Sequence, residues 1–309
     1  MLARISGAVR FKEPLCFHTS LRMGGPADFF IVARDVDDVR YALTFAEHED
    51  LPVSVIGGGN NLLVSDRGIS GVVLKLDGVL ARAAFHGDEV VVGAGVSLSA
   101  LGREAAARDL GGLECMTGIP GTVGGALATR AGTRDGGIMD LCSAVQFLYP
   151  DGTLGELRPQ VHVTGGQTLD IPRGAIVVSC RLQLVRRSGT LVWKEIRQRL
   201  KARKASEPIA LASAGFVWKN PRASIAQRLI DAAGLRGKRR NGAEISAKSS
   251  NFIINRGGAT SSDVLGLMEM TRERVEARFG ITLESEIRML GFSAAPAMAT
   301  EPLELATAR

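Results

Sequence analysis

Residues 57–63 read GGGNNLL and directly follow the apolar run Val53–Ile56, a pattern that predicts a buried strand ending in three glycines. A second stretch, residues 118–126 with the sequence GIPGTVGGA, lies about 60 residues further on and leads into a short helix of small residues. Glycines in such places let backbone N–H groups approach phosphate oxygens. The two loops predict a cradle for one extended pyrophosphate, although the spacing alone also allows two ordinary glycine turns.

Neither loop matches a standard nucleotide-binding fingerprint. The first lacks the Gly-Lys-Ser/Thr ending of a P-loop, and the second contains no lysine. The first also fails the GxGxxG pattern of dinucleotide-binding folds, and no acidic residue follows at the required distance. The cofactor therefore cannot be named from these loops alone.

Composition excludes several classes of protein. A chain of 309 residues with 45% hydrophobic residues predicts about two globular domains rather than a disordered polymer. No apolar run approaches the roughly 20 residues of a membrane helix, and the first residues show no secretory signal. The four cysteines and four histidines are scattered, so we expect reduced thiols and no metal site.

The formal charge of +6 is concentrated in two basic clusters, residues 194–204 and 236–240. Each cluster reads either as solvated surface or as an anion site, for nucleic acid or for a phosphorylated ligand. No nucleic-acid motif accompanies them, so we expect no nucleic-acid partner.

Local signals predict several elements. Asp35 is a predicted N-cap for a helix that follows the apolar strand 27–33, and 53–56 completes a β-α-β unit. Thr260 and Asp263 form a predicted capping box, and Gly280 ends the same helix. The composition changes near residue 189, where a basic amphipathic helix begins.

Seven motifs occur in order over roughly residues 19–291. They are TSLRMGGPAD at 19–28, GGGNNLLVSD at 57–66, GIPGTVGGA at 118–126, SAGFVWKNP at 213–221, LIDAAGL at 229–235, NFIIN at 251–255 and LESEIR at 283–288. Together these motifs resemble the UDP-N-acetylenolpyruvoylglucosamine reductase (UDP-N-acetylmuramate dehydrogenase) family.

The resemblance implies an α+β protein with a two-subdomain FAD-binding fold of the vanillyl-alcohol-oxidase (PCMH) type and a smaller α+β substrate-binding domain. The expected divisions are 1–78 and 79–188 for the two FAD-binding subdomains, 189–292 for the substrate domain and 293–309 for a disordered tail.

The resemblance also implies the reaction. FAD would take hydride from NADPH and reduce UDP-N-acetylglucosamine enolpyruvate to UDP-N-acetylmuramate, a precursor of peptidoglycan. We expect a cytoplasmic monomer whose partner is this UDP-sugar, with no membrane partner.

Site residues carry over from the family motifs position by position. Glu286 is the expected catalytic carboxylate, and Lys219 and Asn220 are expected to face the substrate. The expected cofactor-binding residues are Gly57, Gly58, Gly59, Asn60, Asn61, Leu62, Gly118, Ile119, Pro120, Gly121, Thr122, Gly124, Gly125 and Ile176.

The sequence differs from the family pattern at positions that are expected to be catalytic. Phe216 stands where the family has a proton-donating Ser or Cys, and Gly165 and Gly166 stand about where a Tyr-Arg pair is expected. Ser249, Lys248, Arg130 and Arg173 are possible replacements. Two functions therefore stay open: a reductase with a rearranged acid, and a FAD-binding paralogue with lost or altered activity.

Overall fold

A four-stranded sheet and one helix form the N-terminal layer of the protein, in a computed structural model that describes residues 1–161, 167–222 and 224–292. The sheet and the helix consist of β1 Ala8–Pro14, β2 Pro26–Ala33, α1 Val36–His48, β3 Val53–Ile56 and β5 Ile69–Leu76, and the short strand β4 Leu62–Val64 lies outside this sheet. The sheet order is β1-β2-β5-β3, with β5 parallel to both β2 and β3. The predicted β-α-β unit is confirmed, and Asp35 caps α1 by accepting a hydrogen bond from the Asp38 amide at 2.8 Å.

Asp38 anchors the N-terminal segment to this layer. Its carboxylate is 1% exposed and accepts hydrogen bonds from Ser6, Gly7 and Arg34. Burial by itself raises the pKa of Asp38. The hydrogen bonds together have a larger effect in the opposite direction, so the pKa lies below its ordinary value.

A second, antiparallel sheet carries three helices and the second glycine loop. Its region contains β6 Ala83–His86, β7 Glu89–Gly93, α2 Leu98–Ala106, β8 Leu110–Gly111, α3 Val123–Thr129, β9 Gly132–Thr133, β10 Gly136–Gly137, α4 Ile138–Leu141, β11 Cys142–Leu148, β12 Leu154–Leu157, β13 Gln160–Val161, β14 Gln167–Thr168, β15 Ile176–Gln183 and β16 Val185–Arg186. The sheet order is β12-β11-β15-β7-β6. The second glycine loop runs directly into α3, as predicted.

The C-terminal region is a small sheet with helices. Its elements are α5 Gly189–Ser206, β17 Ala212–Ser213, α6 Ala226–Ala232, β18 Arg239–Arg240, β19 Ala243–Ile245, β20 Ile253–Asn255, α7 Ser261–Phe279 and β21 Arg288–Leu290. Helix α7 begins with the predicted capping box of Thr260 and Asp263 and ends at Gly280, whose φ is 65°. Single turns of 3₁₀ helix lie at Leu2–Arg4, Leu15–Phe17, Gly78–Ala81 and Glu114–Met116.

The last strand returns to the start of the chain. Strand β21 pairs in parallel with β4, which follows the first glycine loop. Leu21, Met23 and Leu63 pack into the same hydrophobic cluster as the C-terminal helices. This pairing holds the C-terminal region against the first glycine loop and creates the site described below.

The expected domain boundaries at 78/79 and 188/189 stay predictions. Hydrophobic clusters contain buried side chains from both sides of each boundary. Ile176 and Val178, for example, pack with the N-terminal layer. Residues 293–309, where a disordered tail is expected, lie outside the described residues. Across the described ranges, no helix combines the length and the apolar character needed to span a membrane.

Candidate active site

A cavity of about 1390 Å³ lies between the two glycine loops, the second sheet and the C-terminal region. Every residue expected to bind the cofactor lines this cavity: residues 57–62, 118–122, 124, 125 and 176. Their binding role stays a prediction, but the structure brings together two loops that the sequence separates widely.

The two glycine loops touch each other at positions that only glycine suits. A Cβ atom on Gly57 would lie less than 3.0 Å from Thr122 Oγ1, and one on Gly58 would lie 3.1 Å from the Gly121 Cα. Gly121 itself has a φ of 124°, which side-chain-bearing residues rarely adopt. The resulting bare backbone lines a cleft large enough for a dinucleotide, so these residues fit FAD.

The expected catalytic carboxylate lies in the same cavity. Glu286 is half-buried, and its amide donates a hydrogen bond to Val217 O at 2.8 Å. Trp218 and Ser285 form an antiparallel bridge beside this bond. Residues 217–218 and 285–286 therefore run side by side, which places the backbone of Val217, the chain neighbour of Phe216, opposite that of Glu286.

Comparison with known proteins agrees with this arrangement. Residues 27–158 match the model of a FAD binding domain, and residues 207–290 match the C-terminal domain of UDP-N-acetylenolpyruvoylglucosamine reductase. The chain is 40% identical to UDP-N-acetylenolpyruvoylglucosamine reductase 2 of Symbiobacterium thermophilum, over 94% of each chain. It is also 40% identical to the reductase of Pelobacter propionicus, over 92% of this chain and 96% of the relative. The chain belongs to the UDP-N-acetylenolpyruvoylglucosamine reductase family.

The crystal structure of the reductase from Thermus caldophilus superposes with a TM-score of 0.77 at 33% identity, covering 93% of this chain and all of that one. This likeness confirms the predicted fold class. The chain is thus a flavin-dependent oxidoreductase with a FAD-binding domain.

The proton-donor position departs from the reductase family in a visible way. Phe216 is 45% exposed and lines the cavity, and its ring centroid lies 4.9 Å from that of Phe252. A phenyl ring has no proton to donate. At the position where the resemblance implies a proton donor, this chain therefore carries a side chain that lines the cavity and has no transferable proton.

Arg288 is a charged cavity residue that the sequence reasoning missed. Its guanidinium is half-buried and donates one hydrogen bond, to Ala128 O at 2.9 Å. No carboxylate of the described residues lies within ion-pair distance of it. Burial lowers the pKa of Arg288, and the charge of Glu286 opposes that effect. Its two-residue spacing from Glu286 in an extended segment was the available signal.

The two expected substrate-facing residues differ in position. Asn220 lines the cavity, and its side-chain oxygen accepts a hydrogen bond from the Ala226 amide at 3.0 Å, at the start of α6. Lys219 lies outside the lining and forms an exposed ion pair with Glu284 at 3.3 Å. Asn220 therefore supports the cavity wall. Lys219 could contact a substrate only after its ion pair with Glu284 breaks.

Of the possible replacements for the missing groups, only Arg130 lines the cavity. It pairs there with the exposed Asp170 at 3.4 Å. Ser249 donates instead to Gln227, and the ammonium group of Lys248 donates to Lys204 O. Gly165 and Gly166, where Tyr-Arg was expected, lie outside the described residues.

Ser213 is a further hydroxyl in the cavity wall. Its backbone oxygen accepts a hydrogen bond from Ser20 Oγ at 2.7 Å, and the Ser20 hydroxyl also contacts Gly59 O at 3.0 Å. No described residue engages the Ser213 hydroxyl. Ser213 thus offers an uncommitted O–H three residues from Phe216.

Proposed function

We propose that the protein catalyses the NADPH-dependent reduction of UDP-N-acetylglucosamine enolpyruvate to UDP-N-acetylmuramate. Family membership supports the reaction, and one observation carries it for this chain. Glu286 and Arg288 lie in the same cavity as the paired glycine loops. A carboxylate and a cation that pairs with no described carboxylate, both beside a flavin-sized cleft, suit an anionic, unsaturated acid.

The enolpyruvyl double bond takes up one hydride and one proton in this reaction, and the product is the corresponding lactyl ether. FAD, when bound, supplies the hydride that it has received from NADPH. The remaining work falls to side chains of this chain. Charge that develops towards the substrate carboxylate needs a fixed positive group, and Arg288 is half-buried and free of described carboxylate partners.

Ser213 is our proposed proton donor. Ser213 would take over the role that the resemblance implies for the position of Phe216, because the residue lines the cavity and no described residue hydrogen-bonds its hydroxyl. Ser20 fixes the Ser213 backbone, so the hydroxyl has a defined anchor. Once Ser213 has given its proton to the substrate carbon, a proton from solvent would restore the hydroxyl, and Glu286 would orient the reacting group.

A second candidate function follows from the Phe216 ring in the cavity. A protein that retains the cofactor cradle but has lost its acid could bind FAD and a nucleotide sugar without reducing the sugar. The glycine loops and the residues expected to react with the sugar occupy different parts of the cavity. The cofactor site can therefore persist when the catalytic residues have changed.

Anaerobic half-reactions distinguish the two functions. The purified protein is reduced with NADPH, and the flavin absorption near 450 nm is followed after addition of the enolpyruvyl sugar. Rapid reoxidation supports the reductase, whereas reduction without substrate-dependent reoxidation supports the paralogue. A protein that takes up no FAD contradicts both.

Two variants then test the acid. Ser213→Ala should slow reoxidation by about 10²–10⁴-fold if Ser213 is the donor. Adding Phe216→Ser to Ser213→Ala should restore much of the rate, since the family position would again carry a hydroxyl. Unchanged reoxidation in Ser213→Ala would refute the assignment of the donor.

We further propose a cytoplasmic monomer with the UDP-sugar as its partner and without nucleic-acid or membrane partners. The basic cluster 236–240 supports this reading, because its arginines pair with neighbouring carboxylates. Arg236 binds Asp231, and Arg239 contacts Glu244 at 2.6 Å. These ion pairs offset part of the positive charge of the cluster.

A further inference from the structure

Asn61 connects the first glycine loop to the catalytic strand through two hydrogen bonds. Its side-chain Nδ2 donates to Glu286 O at 3.1 Å, across 225 residues of sequence. Its backbone oxygen accepts from the Arg288 amide at 3.0 Å. The two bonds flank Ile287 and engage the backbone of both charged residues.

The backbone of Glu286 is consequently held on both sides. Its amide donates to Val217 O at 2.8 Å, and its carbonyl accepts from Asn61. The Val217 bond aligns Glu286 with the segment that carries Phe216. The Asn61 bond aligns it with the loop that faces the cofactor.

We infer that Asn61 is a positioning residue: its side chain sets where the backbone of Glu286, and with it the carboxylate, stands relative to the cofactor loop. The family motif assigns Asn61 only to cofactor binding, and this inference rests on the proposed function of Glu286 and Arg288. Displacement of a reacting group by about 1 Å can reduce a rate by about 10²-fold, so such a clamp has a kinetic consequence.

The neighbouring Asn60 provides a matched control. Both asparagines belong to the same loop and line the same cavity. The side-chain oxygen of Asn60 faces the glycines, 3.7 Å from the place of a Cβ on Gly121. Asn60→Asp and Asn61→Asp each add one negative charge to the cradle at nearly constant shape, but only Asn61→Asp replaces the donor that holds Glu286.

The first measurement compares the two variants at saturating FAD. We expect both to bind FAD more weakly by similar factors. The rate constant for reoxidation by the enolpyruvyl sugar should be about 10–100-fold lower in Asn61→Asp than in Asn60→Asp, with a smaller difference in KM.

The second measurement needs no turnover. Hydrogen–deuterium exchange should show about threefold or greater faster exchange in peptides covering residues 284–290 of Asn61→Asp, and not of Asn60→Asp. Equal exchange and equal reoxidation in the two variants would overturn the inference. If the wild-type protein shows no reoxidation, the proposed function fails, and the exchange result still decides whether Asn61 holds the strand.

Discussion

The contact between the glycine loops makes Gly57→Ala the most informative perturbation of the cofactor cradle. Gly57 has no positive φ, so alanine introduces no backbone strain there. Its Cβ would nevertheless lie less than 3.0 Å from Thr122 Oγ1. Non-bonded contacts of Cβ atoms are essentially never this short in proteins. The two loops must separate, or Thr122 must change its rotamer.

The magnitude follows from what Thr122 does. Thr122 Oγ1 caps α3 by accepting a hydrogen bond from the Gly125 amide at 3.3 Å. Loss of a cap costs about 1 kcal/mol, and overpacking costs about 1–3 kcal/mol. If FAD requires the closed loops, its dissociation constant should rise by about 10–100-fold, since 1.4 kcal/mol corresponds to a factor of ten.

Fluorescence titration of the apoprotein with FAD measures this change. Gly102→Ala is the matched control, because no atom of the described residues lies within 4 Å of a Cβ at that position and the residue lies in α2, outside the cavity lining. Alanine there should leave FAD binding unchanged and stabilise the fold by up to about 1 kcal/mol.

A double-mutant cycle tests the cause. Thr122→Ala removes the obstructing hydroxyl, so Gly57→Ala should cost less than about 0.5 kcal/mol in that background. An equal cost in both backgrounds, or wild-type FAD affinity in Gly57→Ala alone, would refute the proposed contact between the loops.

Three further predictions concern the site and the fold. Arg288→Gln should lower kcat/KM for the enolpyruvyl sugar by about 10²-fold while leaving FAD content unchanged, as measured by steady-state kinetics and flavin absorbance. Asp38→Ala should lower the free energy of unfolding by about 3 kcal/mol in urea titrations, because several buried donors lose their acceptor. Stability should also fall in acid: hydrogen bonding by Arg256 is the main factor that lowers the pKa of Glu244, and the pKa of Asp38 is lowered as well. A carboxylate whose pKa is lowered in the folded protein stabilises the fold at pH values above its ordinary pKa. This contribution is lost as the pH falls through the folded pKa. The urea concentration at the unfolding midpoint should therefore decrease as the pH is lowered below about 4.5. This decrease should be less steep in Asp38→Asn.

Local signals in the sequence were sufficient for individual elements. The Asp35 cap, the Thr260–Asp263 capping box and the glycine at 280 each specify a helix end through residues a few positions apart. The glycine loops were visible for the same reason, since their backbone freedom is a property of the residues themselves. Strand β1 was not anticipated, because it is largely exposed and lacks an apolar pattern.

Family motifs placed Glu286 and the cofactor loops, but they carried no information about departures from the family. Phe216 could be identified as a replacement, yet only the structure shows its ring 45% exposed in the cavity. Lys219 could be aligned, yet only the structure shows it outside the lining and paired with Glu284.

The sequence by itself therefore determined the family, the helix ends and the two glycine loops, since each depends on residue type and short spacing. Tertiary structure decided which of these parts meet. The contact of Gly57 with Thr122, the position of Arg288 in the cavity and the bond from Asn61 to Glu286 all join residues that lie far apart along the chain. Such contacts depend on the pairing of β21 with β4 and on the packing of whole layers, and no local pattern encodes their distance.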